Sequence, residues 1–141
     1  MQLKTKLRNY YLTAIFGVFF AVVGFSYNAW RMEVSEDNNN IRTAAFEMLL
    51  VLAEFEQVVY AAHYDQDEEN GSPRLGWVKV GLAFDLSMLV GNSVEQKVTV
   101  LHSVWQDTWS TMPESREDTD KIVDAISAVR EEIKKVLKSL E

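Results

Sequence analysis

The chain of 141 residues contains no cysteine. That absence excludes disulfides, thiolate metal sites, cysteine nucleophiles and a lipidated cysteine behind a hydrophobic segment. Stability must come from packing alone. Proline occurs only at 73 and 113 and histidine only at 63 and 102. With no HExxH or Glu-x-x-His pair, zinc and di-iron chemistry are not expected. Ser72, Ser87, Ser93 and Ser103 stand in no G-x-S-x-G turn, and neither a P-loop nor a G-x-G-x-x-G run is present. No motif specifies a reaction, so the chain reads as non-enzymatic and free of cofactors.

Two further absences divide the sequence. Residues 1–31 contain no acid, and residues 10–30 contain no charge of either sign. Lys4, Lys6, Arg8 and Arg31 give the first 31 residues a charge of +4, so the remainder carries −11 of the net −7. An acidic body of this kind repels nucleic acid and anionic lipid, and nucleic acid is not an expected partner.

What fills residues 10–30 is YYLTAIFGVFFAVVGFSYNAW. At 1.5 Å per residue this run spans roughly 30 Å as a helix, the thickness of a hydrocarbon core. Tyr10 and Tyr11 mark one limit and Tyr27 and Trp30 the other, as aromatic rings do at headgroup level. The expectation is a transmembrane signal anchor. Lys4, Lys6 and Arg8 precede it, whereas Glu33, Glu36 and Asp37 follow Arg31. Positive residues stay inside, so residues 1–9 read as cytoplasmic and the rest as extracytoplasmic. In a Gram-negative cell that is the periplasm, with the chain a single-pass protein of the inner membrane and its lipid. A cleavable signal peptide is the rival, with Gly24 and Ser26 near a cleavage point. The long apolar run and the lack of an A-x-A-like site favour the anchor.

Ala14, Gly17, Ala21, Gly24 and Asn28 recur at spacings of 3, 4, 3 and 4. Small residues let membrane helices approach closely, and Asn28 can add a hydrogen bond between them. This face is a candidate packing seam for a homodimer or another membrane protein; ordinary Gly and Ala enrichment of membrane helices is the plainer explanation.

Residues 31–40 read as a linker or as a continuation of the helix, interrupted by Asn38, Asn39 and Asn40. Residues 41–141 then show helical periodicity throughout. Ile41, Ala45, Met48, Leu52, Phe55, Val59 and Ala62 form the first stripe, widened by Leu49, Val51 and Val58. After an acidic loop at 65–71, Ser72 and Pro73 open a second helix that stops near Gly91. Its apolar density predicts the most buried helix, with a strand the competing assignment. Ser93 and Gln96 predict a capping box for a third helix, with a stripe of Val94, Val98, Leu101, Trp105 and either Thr108 or Trp109, ending at Met112 and Pro113. Ser115 and Asp118 predict another for the fourth, whose stripe is Ile122, Ile126, Val129, Ile133, Val136 and Leu140. Glu117–Lys121 and Glu131–Lys135 are favourable pairs along it. Short connections imply antiparallel neighbours. The fold expected is all-α: one N-terminal transmembrane helix followed by an antiparallel up-down four-helix bundle over residues 41–141.

Two candidate sites emerge. His102, Trp105 and Trp109 share helical spacing and can line a ligand or partner face; packing in the core is the plainer role for the indoles. Asp65, Asp67 and Glu69 alternate as oxygen ligands of a cation do. The glycine falls one place late for an EF-hand, however, and the twelfth position is Gly76 instead of glutamate, so a solvated connector fits better. His63, beside Asp65 and Asp67, is a further metal candidate that lacks a motif. The function expected is a membrane-tethered helical interaction module, dimerising or docking a membrane protein. The alternative is a small-ligand sensing domain acting through a partner; membrane-proximal helical bundles resemble chemoreceptor sensing domains in helix arrangement only.

Overall fold

In the computed structural model, residues 2–141 are described, with side chains from Lys4 onward. Four helices follow one another: α1 (Gln2–His63), α2 (Pro73–Val90), α3 (Asn92–Thr108) and α4 (Arg116–Ser139). No strand occurs among the described residues, which settles α2 as a helix. The chain divides into two compact units, one ending at Asn38 and one over Asn39–Glu141.

The first unit consists of α1 residues alone, and every side chain from 4 to 37 is exposed. Among the described residues α1 is the one helix long and apolar enough to cross a membrane. Of the two readings of residues 31–40, linker or helix continuation, the structure has the continuation, since they lie inside α1. Asparagine lowers helix propensity by at most about 0.7 kcal/mol per residue. Ending one helix and nucleating another costs more than tolerating three such residues. Thr43 Oγ1 also donates to the Asn39 carbonyl (3.0 Å), inside the helix.

The second unit is built around one apolar core to which α1, α2, α3 and α4 all contribute. The α1 stripe enters it as the spacing predicts, with Ala45, Met48, Leu52, Phe55 and Val59 fully buried. From α3 come Val94, Val98, Leu101 and Trp105, and from α4 Ile122, Ile126, Val129 and Ile133. Between the two candidates at the end of the α3 stripe, Thr108 is buried and Trp109 half-buried.

α2 departs from expectation. Its buried residues are Gly76, Val80, Ala83, Ser87 and Val90, whereas Leu75, Val78, Leu82, Met88 and Leu89 are exposed. Apolar density did not locate the buried face because phase decides it. The small residues recur at 4, 3, 4 and 3, and that side lets the backbone of α2 come close to its neighbours.

The three serines predicted to cap helices behave differently. Ser115 does cap α4, its hydroxyl accepting from the Asp118 N–H (3.2 Å). The return arm of the box goes elsewhere: Asp118 Oδ2 accepts from Thr111 Oγ1 (2.6 Å). Ser72 occupies the N-cap of α2, but its side chain makes no cap bond, and Pro73 supplies the helix start. α3 begins earlier than expected, at Asn92 with Gly91 as its cap. Ser93 instead lies against Glu132 of α4 and, after Lys135, helps to hold that carboxyl below its ordinary range. α3 also ends sooner, at Thr108, and residues 109–114 turn into α4. On α4, Lys121 pairs with Glu117 (2.9 Å) as predicted. Glu131 pairs with Lys134 (2.7 Å) and Lys135 turns to Glu132 (3.1 Å), so the predicted Glu131–Lys135 pair is replaced by two i, i+3 contacts.

Candidate functional site

The three residues proposed for one ligand or partner face occupy three different environments. Trp105 is fully buried, set edge-on against Phe55 with centroids 5.1 Å apart. Its position on the Val94–Val98–Leu101 stripe commits it to the core. Its indole N–H has no hydrogen-bond partner among the described residues. Trp109, four residues on, closes α3 as its C-cap, its N–H donating to the Trp105 carbonyl (2.9 Å). His102, half-buried like Trp109, lies a turn before Trp105 on α3.

What His102 meets is a ring that the sequence did not single out. Trp77 of α2 lies 5.7 Å from His102 and 6.2 Å from Trp105, edge-on to both. Gly76, next to it, permits this approach: the rim of the Trp105 indole fills the space that a side chain at 76 would need. Beside the His102–Trp77 contact, a hollow of about 400 Å³ opens between α2 and α3. Gly81, Phe84, Asp85, Thr99 and His102 line it. Its walls combine a phenyl ring, an imidazole, a carboxylate and a hydroxyl, a set that suits a small cationic or planar molecule. Of its lining residues the sequence singles out His102 alone as a ligand candidate.

The acidic loop does not assemble a cation site. Asp67 Oδ1 accepts from the backbone N–H groups of Glu69 and Asn70 (both 3.0 Å), and Oδ2 from the Asn70 amide (2.7 Å). These bonds, the Asn70 amide first, hold the Asp67 carboxyl below its ordinary range. The carboxylate is thus engaged in closing its own loop. Among the described residues no three His, Asp or Glu side chains converge as metal ligands, Asp65, Asp67 and Glu69 included.

His63 is likewise engaged. Its Nδ1–H donates to the carbonyls of Met112 and Pro113, both at 3.1 Å. Gln66, at a left-handed φ of 52°, donates to the carbonyls of His63 (2.8 Å) and Pro113 (3.3 Å). Thr119 Oγ1 also donates to the Met112 carbonyl (3.1 Å). The end of α1 is therefore tied to the α3–α4 turn through carbonyls, an arrangement that orders two loops. Nothing in the local sequence announces it, since the partners lie about fifty residues apart.

In the first unit, Ala14, Gly17, Ala21, Gly24 and Asn28 are all exposed on α1. Space is open at Gly17 and Gly24, where an added methyl would meet nothing within 4 Å. A groove of about 370 Å³ runs along the same helix past Phe25, Asn28, Ala29 and Met32. No protein family, curated protein or solved structure matches the chain.

Proposed function

We propose that this protein is a membrane-tethered helical interaction module without catalytic activity. The observation that carries this reading is the stretch of large apolar side chains on α1. Ile15, Phe16, Phe19, Phe20 and Phe25 are each at least 59% exposed, in a segment free of charge. A hydrocarbon environment covers such a surface, and the basic residues before it orient the N-terminus to the cytoplasm. The second unit is then a periplasmic, antiparallel up-down bundle held at the inner membrane. Its partner is a protein, met through helix faces, with the small-residue seam of α1 packing against another membrane helix.

The experiment is site-directed photo-crosslinking in intact membranes from Gly17, Gly24 and Trp109. Capture of a second copy or a defined membrane protein is expected; no capture from any of the three positions defeats the reading. A topology reporter fused after Glu141 is expected to report from the periplasm, and cytoplasmic signal would reverse the orientation.

A second reading is favoured by the α2–α3 hollow. A module sensing a small planar or cationic ligand uses Phe84, Asp85 and His102 as its walls and acts through a partner protein. Thermal-shift screening separates the two: a compound that raises Tm for the natural chain and not for a Gly81→Leu variant supports sensing.

A further inference from the structure

The second unit carries a large apolar surface that its own core does not use. Phe46 and Leu50 of α1 are 62% and 56% exposed. On α2, Leu75, Val78, Leu82 and Leu89 range from 40% to 64%. The two sets adjoin one another. Glu54 of α1 is paired with Lys79 of α2, and Val58 and Leu75 line one groove a turn away. The helices therefore run past each other in opposite senses, which sets Leu50 level with Leu82. Leu50, Leu75, Val78, Leu82 and Leu89 at these exposures present on the order of 500 Å², as large as the largest patch of a typical monomer. That is most of the roughly 800 Å² per partner in a stable interface.

The charges at the rim indicate what covers it. Glu47 and Arg74 stand on opposite sides of the Glu54–Lys79 rung, both exposed and neither in an ion pair among the described residues. Counted at 1.5 Å per residue from the Glu54–Lys79 rung, they lie roughly 10 Å and roughly 8 Å to opposite sides of it. An anionic lipid surface is repelled at the Glu47 end, and a uniformly charged protein fits one end only. A second copy satisfies both. A two-fold axis near the Glu54–Lys79 rung sets Glu47 of each copy against Arg74 of the other, and brings the Val78 and Leu82 side chains that flank the rung against their own copies.

We infer that the α1–α2 face is a homodimer interface, with Leu82 and Val78 near the axis and Glu47–Arg74 pairs at both rims. The inference rests on the interaction-module reading and names its partner as this same chain. Because the protein has no cysteine, Leu82→Cys introduces its only thiol. In the full chain in native membranes, mild oxidation of that variant is expected to give a disulfide-linked dimer. Its yield should be several times that of Ala128→Cys, at an exposed position on α4. In the Leu82→Cys background, Glu47→Arg or Arg74→Glu alone should lower the yield about threefold, and the two together should restore it. A Leu82→Cys yield no higher than that of Ala128→Cys overturns the inference, as does a double reversal no better than the singles. The photo-crosslinks from Gly17 and Trp109 run alongside: capture of another protein there, without the Leu82 dimer, removes the second copy and leaves the interaction reading standing.

Discussion

Gly76 of α2 lies against the benzo edge of Trp105 of α3, whose Cζ2 and Cη2 atoms occupy the space of a first side-chain carbon. Trp105 has nowhere to retreat, with Phe55 on its other side and Trp77 nearby. Gly76→Ala is expected to destabilise the protein by about 1–3 kcal/mol through overpacking. That outweighs the gain of up to about 1 kcal/mol in helix propensity. Urea unfolding checks it, the midpoint falling with an unchanged slope.

Two other glycines should respond in opposite directions. Gly91 has φ 148° and ψ 160°, a region that essentially only glycine occupies, although the space around it is open. Gly91→Ala is expected to cost about 1–3 kcal/mol from backbone strain alone. Gly81 is helical, with nothing within 4 Å of an added methyl. Gly81→Ala should therefore stabilise by about 0.5–1 kcal/mol. Thermal melts of the pair test whether backbone conformation, and not crowding, decides both signs.

The difference between stripes and contacts explains how much the sequence disclosed. α1 and α4 announced their buried residues because their core positions are apolar and mostly large at helical spacing, as in Ile122–Ile126–Val129–Ile133. α2 concealed its buried face because Gly76, Ala83 and Ser87 look unremarkable beside Leu82 and Leu89. Burial there follows from close approach to α3, a property of pairs of helices. Trp105 belonged to the core by its own stripe, and grouping it with His102 as a surface overrode that phase. Trp77, which does face His102, sits on another helix and no spacing links them. The His63 and Gln66 ties to residues 112 and 113 depend on loop closure, which leaves no periodic trace.

Helix capping offers a comparison within one protein. Ser115→Ala removes the bond to the Asp118 N–H and should cost about 1 kcal/mol. Ser72→Ala removes no cap bond and is expected to change stability by less than about 0.5 kcal/mol. Equal losses in a urea series would contradict the different roles.

His63→Ala should open the α3–α4 turn. It takes away the donor to two carbonyls, with an expected loss of about 1–2 kcal/mol. Amide exchange should accelerate at residues 109–115 more than in α2. A uniform acceleration would show instead that the imidazole supports the core as a whole.

Acid sensitivity follows from depressed carboxylates, Asp118 and Asp67 among them. Asp118 is held below its ordinary range first by the Thr111 hydroxyl and then by Lys121, and Asp67 first by the Asn70 amide. A depressed carboxyl contributes stability above its unfolded value of about 3.9, and that contribution disappears as pH falls through the folded value. Tm should therefore change little with pH through these groups near neutrality and drop below about pH 4. Asp118→Asn should flatten part of that acid limb; an unaltered profile would remove Asp118 from the account.

Between Val90 and Asn92 the chain has a single residue, Gly91. A joint that short has no slack: α2 cannot slide or tilt away from α3 unless Gly91 itself rotates out of its narrow conformation. The hollow beside His102 is bounded by these two helices, so any change in its width has to pass through rotation at one residue.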